Sequence, residues 1–246
     1  GYEWEIRLAS DLNPGAASPV SSGSVGFGLV TANTGATALS PLTNYVVYVR
    51  SFCGGVDYST WAGPYAFSTP CASITTLPHT EPFATYLPST CWSEGADGDL
   101  TAGPATISST ASKWTSDGFG NVGTTGAARV EIWNTGDDEW LISPQFTLPA
   151  TPDYQMKYSA AATNYASTVG AGGWGADDYV EVLVSTSGYN NWTVLETYNS
   201  TNIPSNTGDI EIYSLSAYAG QTVRFAYHMV EGPTSGGDTD FFIDNF

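Results

Sequence analysis

Basic side chains are scarce in this chain. Six Lys and Arg residues stand against 24 Asp and Glu residues, which gives a formal net charge of −18. A surface that binds phosphate groups needs clustered lysines and arginines, so the composition excludes nucleic acid as a partner. The acids are unevenly placed, because residues 1–78 hold only four of them and residues 79–246 hold the other 20. The second part of the chain is therefore the part that can bind cations.

Residues that serve catalysis are equally few. The only histidines are His79, in a proline-bearing connector, and His228, which alternates with Tyr227 and Met229 and is predicted to be a partly exposed strand residue. There is no G-x-S-x-G or H-E-x-x-H motif, and histidine and cysteine are too few for a tetrahedral zinc site. We therefore predict a protein that is not an enzyme. A glycosidase needs only two suitably spaced carboxyl groups, and the sequence leaves that alternative open.

Long apolar runs are missing too. No segment approaches the roughly 20 apolar residues of a membrane span, so we expect no insertion into a membrane. A low share of charged residues (12%), little lysine and many Thr, Ser, Asn, Gly and Tyr residues are typical of a secreted β protein. The predicted location is therefore extracellular or on the cell surface.

Alternation of apolar and polar residues is frequent in this chain. It is clearest in YVVYVRSF (45–52), YVEVLVST (179–186), IEIYSL (210–215) and TVRFAYHMV (222–230). Val, Tyr, Phe, Trp and Thr in such runs predict β-strands, so the predicted fold class is all-β. The segment TTLPHTEP (75–82) contains two prolines and marks a connector. It predicts one domain over residues 1–74 and a second over residues 75–246.

Residues 2–70 resemble a fibronectin type III domain. The similarity is carried by LSPLTNYVVYVRSF (39–52) and YSTWAGPYAFSTP (58–70). It implies that Leu42 and Tyr45 anchor the turn into the sixth strand of that β-sandwich, and that Phe67 to Thr69 end its last strand.

The same resemblance makes this sandwich a partial one. YEWEIRL (2–8) corresponds to the third strand of the family, so the first two strands have no counterpart before Gly1. A sandwich without those strands exposes a sheet edge and half of its core. We therefore expect Trp4 or Ile6 to face water unless another segment of chain covers them.

Residues 79–246 resemble the MAM-like jelly-roll domains of secreted Bacteroidetes-type bacterial proteins, relatives of cleaved-adhesin domains. The motifs that carry this similarity are EPFATYLPSTCW (81–92), KWTSDGFGNVGTTGAARVEIW (113–133), DDEWLISPQFTLP (137–149), DDYVEVLVSTSGYNNWTVLETY (177–198), LSAYAGQTVRFAYHMVEG (215–232) and DTDFFIDNF (238–246). The resemblance implies a second, jelly-roll β-sandwich. It also implies a module for adhesion or assembly within a larger protein, with other copies or a cell-surface protein as partners.

The jelly-roll resemblance also implies structural calcium. Asp137, Asp138 and Glu139 stand together before the apolar run Trp140–Ile142, and Asp244 interrupts the apolar run FFIDNF. Calcium takes six to eight oxygen ligands and would neutralise such acids. The ligands carried over by motif are Asp137 or Asp138 and Asp244, with Glu81 as a further candidate. Acids that are merely solvated on loops are the alternative, above all for Asp177 and Asp178.

Eight tryptophans and 15 tyrosines make carbohydrate a second possible partner. Trp92, Trp140 and Trp192 fall within the family motifs and are predicted to be packing residues. Trp174 is a lone large aromatic in the glycine-rich run GAGGWGADD and is the predicted ligand-binding residue. On this alternative the chain is a carbohydrate-binding module attached to a secreted enzyme.

The three cysteines cannot all pair with one another. Cys53 and Cys71 end adjacent antiparallel strands, so about seven residues at about 3.3 Å each separate them, and a disulfide needs Cα atoms within about 7 Å. Cys71 and Cys91 flank the connector and can meet. We therefore predict a Cys71–Cys91 disulfide.

Overall fold

The computed structural model describes residues 1–29, 31, 38–87, 91–108, 112–133, 136–234 and 236–246. These residues divide into two compact units, Gly1–Ala72 (unit 1) and Ser73–Phe246 (unit 2). Both units are built from antiparallel sheets, and the helices of the described residues are two short 3-10 turns, Phe119–Asn121 and Ser216–Tyr218. The predicted all-β fold is confirmed. No helix in these ranges is long and apolar enough to cross a membrane.

Unit 1 is a single five-stranded sheet. Its strands are β1 (Tyr2–Leu8), β2 (Ser21–Val25), β3 (Asn44–Gly54), β4 (Asp57–Tyr58) and β5 (Ala62–Ser68). The order along the sheet is β2, β1, β3, and both β4 and β5 pair with β3. The run YVVYVRSF therefore forms the central part of β3.

The expectation that Trp4 or Ile6 faces water is not met in unit 1. Because side chains alternate between the two faces of a strand, both share one face of the sheet with Tyr45. They are only 7% and 8% exposed, so neither faces water. Val20 and Leu39, which lie outside the strands, pack against this cluster. Connecting segments thus cover the face that we expected to find open.

Unit 2 is a sandwich of two antiparallel sheets of the jelly-roll type. The six-stranded sheet contains β13, β12, β15, β10, β6 and β7 in that order, and the five-stranded sheet contains β14, β11, β16, β9 and β8. The strands are β6 (Ser93–Asp99), β7 (Gly103–Ser108), β8 (Thr115–Asp117), β9 (Ala127–Ile132), β10 (Asp138–Thr147), β11 (Gln155–Asn164), β12 (Tyr179–Ser185), β13 (Thr193–Asn199), β14 (Asp209–Ser214), β15 (Thr222–Val230) and β16 (Thr239–Asp244).

The core of unit 2 lies between these two sheets. Alternate residues of each strand enter it, among them Val180 and Val182 of β12, Tyr227 and Met229 of β15, and Phe241 of β16, all 0% exposed. Burial of one such apolar side chain contributes about 1.5–3 kcal/mol to folding. The residues between them, such as Tyr179, Glu181 and His228, therefore point away from the core.

The strands give unit 2 two distinct ends. β10, β12 and β16 all begin at one end, which we call the Asp138 end. There the N–H of Gly232, after β15, donates to Asp178 Oδ1 just before β12 (3.0 Å). At the opposite end, which we call the Phe246 end, the ring of Phe246 lies 5.7 Å from that of Phe146, near the end of β10. A residue that starts β10 and a residue that ends β16 are therefore far apart.

Two of the three cysteines are bonded. Cys71 and Cys91 are disulfide-bonded, whereas Cys53 is a free cysteine on the surface. Cys53 lies near the end of β3.

Candidate ligand-binding site

The three consecutive acids before Trp140 each have a partner within the protein. The Asp137 carboxylate forms an ion pair with Lys113 Nζ. Asp138 Oδ1 accepts hydrogen bonds from the indole N–H of Trp140 (2.9 Å) and from His228 Nε2 (2.8 Å). Glu139 points inward, where the backbone N–H of Lys113 donates to its Oε2 (3.0 Å). Burial raises the pKa of Glu139 to about 7, and the Asp137 carboxylate adds to this effect.

His228 is the centre of a cluster on the outer face of the six-stranded sheet. Its ring stacks on Trp140 with the centroids 3.8 Å apart, and its Nδ1 lies 3.5 Å from Glu181 Oε2. The side chain is buried, so the prediction of a partly exposed residue is wrong. Burial lowers the pKa of His228, but the hydrogen bond with Asp138 and the nearby Glu181 carboxylate outweigh it, and the net pKa is raised.

An open groove runs beside this cluster, along the first half of β12 and the last half of β13. Its volume is about 320 Å³, and it is lined by Ala176, Asp177, Asp178, Tyr179, Glu181, Thr197, Asn199, Ser200 and Thr201. Tyr179 pairs with Asn199 and Glu181 pairs with Thr197 across the two strands, which places all four side chains on the outer face. We call this the β12–β13 groove. It combines one aromatic ring with carboxylate, amide and hydroxyl groups.

The loop that leads into β12 is held in place by two carboxylates. Asp178 is buried, and its two oxygens accept hydrogen bonds from the N–H groups of Gly232 (3.0 Å) and Gly175 (2.9 Å). Asp177 Oδ2 accepts a hydrogen bond from Thr234 N–H (2.9 Å), and the Thr234 side chain, together with this N–H, lowers the pKa of Asp177. A Cβ at Gly232 would lie 2.3 Å from Asp177 Cγ, so only glycine permits this close approach. The entrance to the groove is therefore preorganised.

The middle of the same sheet face is closed to ligands. The turn between β6 and β7 meets the loop between β12 and β13, where the N–H of Trp192 donates to Leu100 O (2.8 Å). A Cβ at Gly103, which has a φ of +83°, would lie 1.7 Å from Tyr189 O. Beneath this contact lies a buried apolar cluster of Trp140, Ile142, Leu183, Trp192 and Ala226. Trp140 and Trp192 are packing residues, as predicted.

Trp174, the predicted ligand-binding residue, lies in the core instead. It is 7% exposed, its indole N–H donates to Asp178 O (3.1 Å), and its ring packs edge-on against Phe241 at 6.1 Å. The glycine-rich run around it does not display the ring, because Gly173 and Gly237 approach each other closely and fold the loop inward. This ring is unavailable for stacking on a sugar.

The four predicted calcium ligands lie at two different ends of unit 2. Asp137 and Asp138 are at the Asp138 end. Glu81 and Asp244 are at the Phe246 end, where Glu81 exchanges two backbone hydrogen bonds with Phe246 (2.6 and 3.0 Å). Burial raises the pKa of both Glu81 and Asp244. In the described part of the chain, no group of three or more His, Cys, Asp or Glu side chains is placed to hold a metal ion.

The groove residues were missed at the level of sequence, although one signal points to them. Val180 and Val182 alternate with Tyr179 and Glu181, so the pattern places a tyrosine and a carboxylate on the outer face of a strand. It does not reveal that β13 lies beside them with Asn199 in register. Nor does it reveal that His228 lies between Trp140 and Glu181 on neighbouring strands.

Comparison with known proteins yields similarity in structure but not in sequence. No family model matches the chain, and no curated protein sequence matches it. The K2 cleaved adhesin domain of Lys-gingipain is similar over 68% of this chain and 94% of that domain, with 18% identity and a TM-score of 0.40. The K3 cleaved adhesin domain of Lys-gingipain from Porphyromonas gingivalis w83 is similar over 64% of this chain and 90% of that domain (14% identity, TM-score 0.39).

A carbohydrate-binding structure is similar to a comparable degree. TmCBM61 in complex with β-1,4-galactotriose matches over 68% of this chain and 97% of that chain, with 11% identity and a TM-score of 0.39. All of these TM-scores are below 0.5, so the likenesses carry no argument about function.

Proposed function

We propose that unit 2 is a non-catalytic module that binds a neutral carbohydrate in the β12–β13 groove. The observation that carries this proposal is the composition of the groove, in which the Tyr179 ring lies among Asp177, Glu181, Thr197 and Asn199. A sugar presents hydroxyl groups around a ring with an apolar face. The tyrosine ring supplies an apolar surface, and the polar side chains supply hydrogen bonds of fixed direction.

The charge of the groove narrows the class of ligand. Asp177, Asp178 and Glu181 line it, and the lining contains no lysine or arginine. Carboxylates accept hydrogen bonds from sugar hydroxyl groups and form stronger bonds than neutral acceptors do. They repel sulfate and carboxylate groups. The ligand we propose is therefore uncharged, and acidic polysaccharides are disfavoured.

Binding is favoured over catalysis by the state of His228. Its two ring nitrogens face Asp138 (2.8 Å) and Glu181 (3.5 Å), so neither is directed at a ligand in the groove. Asp178, the most buried carboxylate of the lining, is held by two backbone N–H groups. The side chains of His228 and Asp178 are therefore engaged in positioning the site and are not free to transfer protons to a ligand.

The test is a binding assay with neutral polysaccharides. Affinity electrophoresis through gels that contain neutral β-glucans, xylans, mannans or galactans will identify a ligand, and calorimetry with the matching oligosaccharide will give its Kd. We expect Tyr179→Ala to weaken binding about two- to tenfold, because an aromatic contact of this kind contributes about 0.5–1.5 kcal/mol. Glu181→Gln should weaken it as well.

Tyr65→Ala is the matched control, because Tyr65 is an exposed tyrosine in unit 1 (59%). It should leave the affinity unchanged. Equal affinity of wild type and Tyr179→Ala for every retained polysaccharide would refute the assignment of the groove. Preferential retention by acidic polysaccharides would refute the proposed ligand class.

An adhesion or assembly role is the second candidate, and unit 1 provides the observation that favours it. We propose that unit 1 is a partial fibronectin type III sandwich, that unit 2 is a MAM-like domain, and that both belong to a larger secreted or cell-surface bacterial protein. Several large apolar side chains of unit 1 are exposed, namely Phe27 (64%), Leu29 (58%), Leu42 (56%) and Val56 (93%). Phe27 packs edge-on against Tyr2 (5.4 Å), and Leu29 lines an apolar groove with Tyr2 and Trp4, so these side chains form the kind of contiguous apolar surface that marks a protein partner.

The two roles are separable by measuring self-association. Light scattering over a hundredfold range of protein concentration should show growth in mass if copies assemble through unit 1. Phe27→Ser and Leu29→Ser should then reduce association, whereas Tyr179→Ala should not. A mass that stays at one chain across the whole range would remove assembly between copies.

A further inference from the structure

A second, chemically different cavity lies at the Phe246 end of unit 2. Its volume is about 500 Å³, within the range of small-molecule sites. Its walls come from the connector (Leu77), β10 (Phe146), β11 (Met156), β15 (Phe225) and the segment after β16 (Phe246). All but Leu77 belong to the buried core. We call this the Phe246 cavity. It lies far from the β12–β13 groove, which is at the Asp138 end.

The charge of the cavity lining is opposite to that of the unit around it. Residues 79–246 hold 20 acids, yet no Asp or Glu is among the residues that line the cavity. The lining contains one permanently charged side chain, Lys157, which is exposed. Burial lowers the pKa of His79, the other titratable base of the lining, so it is neutral near pH 7.

Lys157 differs from the other bases of unit 2. Lys113 pairs with Asp137, Arg129 pairs with Asp240, and Arg224 stacks on Tyr189 with its Cζ 3.9 Å from the ring centroid. In the described part of the chain, Lys157 forms no salt bridge. An ammonium group without a carboxylate partner thus lies beside an apolar cavity.

We propose that the Phe246 cavity binds an amphipathic carboxylate, such as a medium-chain fatty acid, independently of the carbohydrate groove. The apolar chain lies in the cavity against Phe146, Phe225 and Phe246, which pack on one another and form one wall, and there it leaves water. The carboxylate stays at the opening and pairs with the Lys157 ammonium group. A cationic amphiphile of the same length meets the same walls but is repelled by Lys157, so the charge of the head group decides the selectivity.

The two methionines of the chain provide a direct readout. Met156 lines the cavity, whereas Met229 lies in the core between the sheets and does not line it. With ¹³C-labelled methionine methyl groups, decanoate added below its micelle concentration should shift the Met156 signal and leave the Met229 signal in place. Decanol and decyltrimethylammonium carry the same chain with a neutral and a positive head group. We expect the affinity to fall in the order decanoate, decanol, decyltrimethylammonium.

Lysine variants test the head-group contact. Lys157→Gln should weaken decanoate binding about three- to fivefold, the effect of an exposed ion pair, and leave decanol binding unchanged. Lys113→Gln removes the same charge at the other end of unit 2 and should change the binding of neither decanoate nor decanol. Absence of a Met156 shift up to millimolar decanoate would overturn the proposal, and so would equal effects of the two lysine variants. Tighter binding of the cationic amphiphile would overturn the charge selectivity.

Discussion

Glu139 should make unit 2 less stable as the pH rises from acid to neutral. The side chain is buried (7% exposed), and its Oε2 accepts one hydrogen bond from Lys113 N–H (3.0 Å). Burial, together with the Asp137 carboxylate, raises the pKa of Glu139 from its ordinary value of 4.5 to about 7. The folded protein therefore holds this proton more tightly than the unfolded chain does. Protonation favours folding, and that contribution is lost as the pH rises through 7.

The size of the effect follows from the two pKa values. A tenfold change in proton affinity corresponds to about 1.4 kcal/mol, so a pKa of about 7 in place of 4.5 corresponds to about 3 kcal/mol. Below pH 4.5 the ionisation of Glu139 costs nothing, and above pH 7 the whole cost applies. Glu139→Gln keeps an oxygen that accepts the hydrogen bond from Lys113 and removes the ionisation.

Urea unfolding of wild type and Glu139→Gln between pH 4.5 and 8.5 measures this effect. Trp114 provides a nearby signal, because its indole N–H donates to Glu139 O (3.4 Å). Other groups titrate in the same interval, so the quantity that matters is the difference in unfolding free energy between the two proteins at each pH. We expect the variant to gain about 3 kcal/mol relative to wild type between pH 4.5 and 8.5.

Two curves of stability against pH that run parallel would refute this reasoning. That result would mean that Glu139 titrates alike in the folded and unfolded states, and that water reaches its carboxyl group. If the two curves are parallel and Glu139→Gln is the less stable protein at every pH, the folded protein accommodates the charged form of Glu139 well. The pKa of the side-chain carboxyl, followed by ¹³C NMR, provides an independent check.

Three further predictions concern other parts of the chain. Because the pKa of His228 is raised in the folded protein, protonation of His228 should stabilise the fold below pH 6.5, and this contribution is lost as the pH rises through the folded-state pKa. Asp138→Asn should therefore lower the free energy of unfolding by about 1–3 kcal/mol at pH 5.5 and by less at pH 8.5, as measured by urea unfolding. We propose that structural calcium binds at the Phe246 end, where Asp244 and Glu81 lie, and that at 100 times its Kd it adds about 2.7 kcal/mol to the stability of unit 2. A chelator should then lower the thermal midpoint of wild type but not of Asp244→Ala, and an unchanged wild-type midpoint would count against calcium. Non-reducing peptide mapping should recover Cys71 joined to Cys91, with the third cysteine alkylated, and a different pairing would contradict the predicted bridge.

The strands and their buried faces could be predicted from the sequence. YVEVLVST and TVRFAYHMV alternate with the period of a β-strand, and they form β12 and β15 with every second side chain in the core. The sequence also marked Asp137, Asp138 and Glu139 as acids that need partners. Both inferences depend on local information, because the direction of a side chain along a strand is set by the backbone itself.

The partners of those acids were decided by the tertiary structure alone. Asp138 meets His228, 90 residues away, because β10 and β15 are neighbours in register. Asp244 cannot join Asp138 at one site, since the former ends β16 and the latter begins β10, and both strands start at the same end of the sandwich. Trp174 is buried for a similar reason, as its loop folds against the segment that precedes β16. Strand order, strand direction and loop packing are contacts between distant residues, and the alternation within a single strand contains no information about them.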